Sequence, residues 1–310
     1  MIKDITHAIE ILQRSDLIGL PTETVYGLAA NALSDAAVSK IYALKERPHF
    51  NPLIAHFANA DQAKDYVHFN DWAETLAQAF WPGPLTLILN KKKDCDISLL
   101  ATAGLETLAI RIPSHPLAQK ILQGLEFPVV APSANPSESL SPTTAQHVKT
   151  SFPDLFVVDG GPCTVGLEST IVDLTGEIPV ILRPGSLTKG DMEKALSLNL
   201  GDKCEGGIIK APGQLKRHYA PSIPLRLNVT ELKENEVLLS FGVHTLKAKK
   251  EINLSPTADL QEAAASLFSA LAELDRPQYG RIAVMPIPNK GIGFAINDRL
   301  SRATTPPIEF

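Results

Sequence analysis

The stretch GLPTETVYGLAANA, residues 19–32, leads through a helical run into KERPHFNPLIAH, residues 45–56, and these two segments decide how the chain is read. An apolar run ends at Pro21, after which Thr22, Glu23, Thr24 and Tyr26 crowd together before Gly27. The bland reading of 21–27 is a strand-to-helix turn, with Thr22 as a cap and Gly27 at positive φ. The functional reading is that Thr24 and neighbouring hydroxyls hydrogen-bond a small polar ligand. Ser34 reads as the N-cap of a helix through Val38, Ile41, Tyr42 and Leu44. That helix delivers Lys45 and Arg47 at its end, where Pro48 and Pro52 forbid further turns. Cations there complement the helix macrodipole, each worth about 0.3–1 kcal/mol. This accounts for one of them, but not for Asn51 and His56 following so closely. An arginine fork beside a lysine point charge suits a polyphosphate. His56, on an apolar strand, reads either as a core histidine or as a ligand contact.

Outward from this stretch, a helix over 4–14 precedes a strand at 17–21. A strand at 54–57, helices near 60–67 and 71–80 and the rigid turn Trp81-Pro82-Gly83-Pro84 lead into a strand at 85–89. Short strands at 108–112, 128–131, 156–159, 169–174 and 180–182, with helices at 115–124 and 143–149, make an α/β layer structure with a mixed sheet. Residues 198–222 lose all periodicity and read as a functional linker. Beyond them, strands at 224–227, 237–241 and 282–286 and helices at 257–275 and 293–303 form a small second α/β unit. No GxGxxG follows a strand there. The organisation expected is therefore 1–200, a linker and lid at 201–222, and 223–310.

A chain of 310 residues supports two cores, and 44% hydrophobic with 20% charged residues describes an ordinary globular composition. The net charge of -5 argues against a surface devoted to nucleic acid, though a local basic pocket remains open. Cys95, Cys163 and Cys204 are far apart and form no CxxC pair, so a reducing compartment is expected. The N-terminus lacks a signal-peptide core, and no apolar run approaches the ~18–20 residues of a membrane span. A cytoplasmic protein is expected.

Four further stretches could carry chemistry. Thr107 to Pro113 places Arg111 in an apolar strand, which requires either an anion partner or a solvent-facing edge. APSAN at 131–135, continuing to SPTT at 141–144, is either a close-approach ligand turn or two capped turns, with Ser141 or Thr143 starting a helix. GLESTIVD at 166–173 and LRPG at 182–185 are ligand contacts or ordinary strand boundaries. No Walker, GxSxG, HExxH or EF-hand pattern occurs.

As an ordered set, PTETVYGL, KxRP…NPLxxH, WPGPLT, RIP, APSAN…SPTT, GLESTIVD and LRPG resemble the YrdC-like family in its two-domain, threonylcarbamoyl-adenylate-forming branch. The likeness covers about residues 8 to 188, resumes in APGQLKRHYAP at 211–221 and returns in GIGFAINDRLSRA at 291–303. It implies a YrdC-like twisted mixed sheet with helices, followed by a small Rossmann-like α/β domain. It also implies formation of threonylcarbamoyl-AMP and pyrophosphate from L-threonine, bicarbonate and ATP with Mg2+. The product would go to a tRNA-modifying transferase acting at adenosine 37 of tRNAs that read ANN codons, with transient tRNA contact open.

By motif position, Thr24, His56, Arg111, Ala131 and Ser169 would line the threonine pocket. Arg47, Asn51, Thr107, Ser133, Ser141, Arg183 and Tyr219 would contact ATP, with Lys45 and Arg47 catalytic and His218 to Pro221 closing over the nucleotide. Threonine's amine and bicarbonate would form a carbamate that attacks the α-phosphate, so positioning and charge neutralisation are needed and no enzyme nucleophile is. The chain departs from the family pattern at Ala211, Gln214, Leu215 and Lys216, and at Glu138, where glycine is common. Rival readings are a carbamoyl-adenylate-forming enzyme of related fold and an RNA-binding module.

Overall fold

The fold is that of a computed structural model, which describes residues 2–201, 209–214 and 217–305. Cys204, Leu215, Lys216 and part of the 201–222 segment lie outside the described residues. The first sheet has nine strands: β1 (Ile18–Leu20), β2 (Gly27–Asn31), β3 (Ile54–His56), β4 (Leu85–Asn90), β5 (Thr107–Arg111), β6 (Val129–Val130), β7 (Phe156–Val157), β8 (Thr170–Asp173) and β9 (Val180–Arg183). Their order is β7-β1-β2-β6-β3-β5-β4-β8-β9, and the sheet is mixed, with β1/β7, β3/β5 and β4/β8 parallel and the other neighbours antiparallel.

Eight helices accompany it: α1 (Ile2–Gln13), α2 (Asp35–Lys45), α3 (Ala60–Lys64), α4 (Asp71–Phe80), α5 (Leu99–Thr102), α6 (Pro116–Gln123), α7 (Ala145–Ser151) and α8 (Lys189–Leu196). Ser34 caps α2 by accepting from the Ala37 amide, and Glu46 ends it in a left-handed conformation.

Three expectations are corrected. Residues 21–27 join strand to strand, and Gly27 opens β2 opposite Leu20 rather than turning at positive φ. What glycine provides there is space, because a Cβ would sit 2.9 Å from the Ala131 methyl. The cap of α7 is Thr144, not Ser141 or Thr143, whose side chains bond across the fold instead. Arg111 is not on an edge, since β5 lies between β3 and β4. The short elements α5 and α8 gave no sequence periodicity long enough to read.

Strand alternation divides the sheet's two faces. Ala55, Leu85, Leu87, Leu89, Leu108, Ile110 and Val172 pack with α2 and α4 in the main core. On the opposite face Ile54, Ile88, Ala109 and Ile171 form a small apolar floor, covered by Ala211. His56, Thr86 and Arg111 share that second face.

The C-terminal sheet contains β10 (Leu225–Arg226), β11 (Glu236–Ser240), β12 (Glu251–Asn253) and β13 (Arg281–Val284), in the order β10-β13-β11-β12, all neighbours parallel. Its apolar strands pack with α9 (Leu260–Leu274) and α10 (Gly293–Ala303). The same cluster takes in Val25, Leu167 and Tyr219, so the second sheet's core reaches the motifs of the first. Gly166 marks a close approach. Its φ is +73, and a Cβ would lie 2.5 Å from both Cα and O of Ala265 in α9. Gly166→Ala is therefore expected to lower stability by about 2 kcal/mol or more, from left-handed strain plus overpacking, read as a drop in melting temperature.

Candidate active site

One transverse row of the first sheet carries the polar groups. His56 stands beside Arg111 between β3 and β5, Arg111 beside Thr86 between β5 and β4, Thr86 beside Ile171, and Ile171 beside Arg183 on β9. Ser169, just before β8, joins the row through its hydroxyl, 2.7 Å from that of Thr86. An inner chamber of about 40 Å³ opens on this row. Val25, Ala131 and Ser133 wall it on one side, and Pro212, Gly213, His218 and Tyr219 of the linker on the other. An outer chamber of about 370 Å³ is lined by Lys45, Arg47, Asn51, Pro136 and Glu138. Arg47 and His218 line both chambers.

The buried cations are held in two ways. Arg111 donates from Nη2 to Glu23 Oε1 at 2.6 Å, from Nη1 to Thr24 Oγ1 at 2.8 Å and from Nε to the Gly83 carbonyl at 3.3 Å. Glu23 is thus the anion that a strand arginine needs. Each terminal nitrogen of Arg111 keeps a second N–H. Thr24 is in turn fixed by Thr22, whose hydroxyl lies 2.8 Å from its own.

Lys45, Arg47 and Arg183 have no carboxylate partner among the described residues and are met by carbonyls. Lys45 donates to the carbonyls of Ser133 and Asn135. Arg47 donates to those of Asn51 and Pro52 at 3.2 and 3.0 Å. Arg183 donates to the Ser169 carbonyl and hydroxyl and to the Pro212 carbonyl. Burial, with Arg47 nearby, holds the Lys45 ammonium well below its usual range. Burial brings Arg47 down to about 10, with Arg183 adding repulsion. A buried site with unneutralised cations is built to receive an anion.

Both chamber histidines are neutral. Burial and then Arg111 lower His56 to about 3, and its Nδ1 lies 3.1 Å from the Ile54 carbonyl, which leaves Nε2 as the acceptor of the neutral ring. Burial lowers His218 to about 3 as well.

Family comparisons agree with the motif order. The model described as Telomere recombination matches residues 10–185, and the model described as Threonylcarbamoyl-AMP synthase, C-terminal domain, matches residues 187–305. A Bacillus subtilis threonylcarbamoyl-AMP synthase is 39% identical over 96% of this chain and 92% of its own length. The chain belongs to the threonylcarbamoyl-AMP synthase family. The crystal structure of Pyrococcus abyssi Sua5 complexed with L-threonine superposes with a TM-score of 0.89 at 35% identity, covering 97% of this chain and 94% of that one. Escherichia coli YciO, at 23% identity and a TM-score of 0.53 over 60% of this chain and 90% of its own, shares the fold alone.

Of the residues that the synthase motifs single out, the inner chamber gathers His56, Arg111, Ala131, Ser133, Ser169, Arg183 and Tyr219, with Arg47 at its boundary. Asn51 and Lys45 face the outer chamber. Thr24 reaches the inner chamber through Arg111. Besides Thr24, two are not brought to either chamber's lining. Thr107 begins β5 opposite Asn90, four residues from Arg111, and Ser141 bonds Glu168 and lines a separate cleft beside α9.

Sequence reasoning passed over Glu23, Glu168 and Arg299. Glu23 and Glu168 lay inside quoted motifs, and the signal that could have found them is the buried arginine each must answer. The signal for Arg299 is a lone charge on the apolar face of α10, among Ala295, Ile296, Leu300 and Ala303. Glu138, the residue at the usual glycine position, adopts φ +68 and is held by Arg217 at 3.0 Å and by the Ala220 amide on its carbonyl. A larger apolar cleft of about 420 Å³ near Trp81 has Glu74 as its one ionisable lining group among the described residues, so the convergent chemistry lies elsewhere.

The two histidines set a pH dependence. Their folded pKa values of about 3 lie below the ordinary 6.5, so the unfolded chain takes up these protons first. Their stabilising contribution is complete above pH 6.5 and is lost as pH falls from there toward 3. Thermal melts should show stability declining below that point by up to about 1.4 kcal/mol per pH unit per histidine. A flat profile through mildly acid pH would mean that the rings are not buried neutral.

Proposed function

We propose that the chain forms threonylcarbamoyl-AMP and pyrophosphate from L-threonine, bicarbonate and ATP, acting as a nucleotidyltransferase. The observation that carries this reading is the set of three buried cations, Lys45, Arg47 and Arg183, without carboxylate partners where the two chambers meet. Such a junction suits a reaction in which one anion attacks another. A relative of the same fold binds L-threonine, which supports threonine as the amino acid, and this reading places it in the inner chamber beside Arg111.

In this reading Thr24, His56, Arg111, Ala131 and Ser169 hold threonine. The free N–H groups of Arg111 form a fork for the carboxylate, and His56 Nε2 accepts from the amine or hydroxyl. The amine and bicarbonate condense to a carbamate with loss of water. A carbamate oxygen then forms the bond to the α-phosphorus as the bond to pyrophosphate breaks. Arg47 and Lys45 sit where charge redistributes, and Asn51, Ser133, Arg183 and Tyr219 complete the nucleotide contacts. Thr107 and Ser141 join these contacts only if the nucleotide extends beyond the two chambers.

Mg2+ would enter with the triphosphate and would help to neutralise its charge. Among the described residues no three His, Cys, Asp or Glu side chains converge on a metal site. Glu46 and Glu138 at the outer chamber are the carboxylates within reach. The segment 201–222 acts as a lid between units 1–200 and 223–310. His218 and Tyr219 exclude water from the unstable carbamate. In the Pyrococcus abyssi relative, an adjacent histidine–tyrosine pair has been replaced by alanines without loss of the overall fold, at a TM-score of 0.86 to this chain.

The adenylate would pass in the cytoplasm to the transferase that modifies adenosine 37 of tRNAs reading ANN codons. Among the described residues no helix is long and apolar enough to cross a membrane.

Purified protein given ATP, bicarbonate and threonine should release pyrophosphate only when threonine is present. Turnover without threonine, or with carbamoyl phosphate in place of bicarbonate and threonine, would overturn this function. Arg47→Ala should lower pyrophosphate release by about a hundredfold or more while the melting temperature holds, because the change also relieves repulsion among buried cations. Near-normal turnover would remove Arg47 from the site.

A further inference from the structure

Arg299 is the largest fully buried side chain among the described residues, yet it comes from the last helix of the C-terminal unit. A guanidinium on the apolar face of α10 is costly unless it is met. Asp298 accepts from Nη1 at 2.8 Å, but the acid that meets Nε lies in the other unit: Glu168 Oε2, also at 2.8 Å. The guanidinium carbon lies 5.1 Å from the centroid of the Tyr219 ring, whose other neighbours are His218 at 4.0 Å and Phe268 of α9 at 5.6 Å. Arg299 Nη2 is buried without a hydrogen-bond partner. One side chain therefore touches both the acid in the wall of the inner chamber and the ring that closes it.

Among the described residues Glu168 is the one carboxylate lining that chamber. It faces Arg299 from α10, Arg183 from β9, Ser141 from the loop before α7, and His218 and Tyr219 from the linker. Ser141 donates to its Oε1, and Arg299 takes its Oε2. With both oxygens engaged, Glu168 makes no ion pair with Arg183, which stays bonded to Ser169 and Pro212.

We propose that Arg299 is a positioning residue of the adenylate-forming site, seating the Tyr219 ring and holding the Glu168 carboxylate in place as an ionised acceptor in the wall of the inner chamber. This rests on the function proposed above. Burial by itself would raise the Glu168 carboxyl. The charges of Arg299 and Arg183 and the Ser141 hydroxyl overcome it and hold the group at about 2. Loss of the Arg299 charge removes the first of these, so Glu168 takes up a proton at higher pH and becomes a donor where the site needs an acceptor.

The test compares Arg299→Gln and Arg299→Lys with the parent full-length chain for threonine-dependent pyrophosphate release, from about pH 5 to about pH 9. Arg299→Gln should lower kcat/KM for threonine by about a hundredfold. Its activity relative to the parent should fall further as the medium is acidified. Arg299→Lys should restore much of the rate and move that acid limb back down. A loss equal at every pH, or parent-like activity in Arg299→Gln, overturns the proposal.

If Arg299→Gln does not fold, the double variant Glu168→Gln/Arg299→Gln carries the test, since it leaves no unpaired charge. Low turnover with a parent-like melt and no acid limb supports the proposal, and full turnover overturns it. A parent that releases no pyrophosphate refutes the function instead. Amide exchange at 217–221 then decides the structural part: faster exchange in Arg299→Gln supports the seating of Tyr219 by Arg299, and unchanged exchange overturns it.

Discussion

Five cations, Lys45, Arg47, Arg111, Arg183 and Arg299, are each no more than 8% exposed around one site, and the architecture answers to that constraint. A charge removed from water must find either an opposite charge or several well-aimed dipoles. Arg111 and Arg299 find carboxylates, Glu23 and Glu168. The other three find carbonyls of Ser133, Asn135, Asn51, Pro52, Ser169 and Pro212. Carbonyl dipoles stabilise a cation without cancelling its charge, so these three keep their attraction for an anion.

The proline-rich loops follow from the same need. Proline has no amide to compete for neighbouring carbonyls, so it helps a turn present them to a buried cation; the Ser133 carbonyl serves both the Asn135 amide and Lys45. Pro48 and Pro52 flank the carbonyls that hold Arg47, and Pro132 and Pro136 flank those that hold Lys45. Glu138 shows the same loop tolerating a non-glycine residue at φ +68, where the Arg217 ion pair and a bond from Ala220 offset the strain.

The C-terminal sheet is joined to this site rather than merely tethered to it. Tyr219, Leu167 and Val25 belong to the apolar cluster of α9 and α10, and Gly166 allows α9 to approach within contact of the GLEST segment. Arg299 then enters from α10 to meet Glu168. Packing and charge thus run through the same few residues, which gives the second unit a physical connection to the chemistry of the first.

Local signals made much of this legible in the sequence. The Ser34 cap, the Lys45 helix end, the period of α9 and α10 and the strands around His56 and Arg111 depend on neighbours a few positions away, and all were readable. Ordered motifs made the family readable as well. β2 was not, because Gly-Leu-Ala-Ala-Asn has neither strand propensity nor alternation and is a strand only through β1 and β6. The sequence by itself therefore determined which residues are chemically equipped and that an arginine in an apolar strand needs either an anion or an exposed edge. The tertiary structure alone decided that His56, Arg111, Thr86 and Arg183 fall in one row, that Glu23 and Glu168 are the answering acids, and that Arg299 crosses from the other unit. Register and charge pairing join residues as far apart as 131 positions, and no local pattern encodes such a distance.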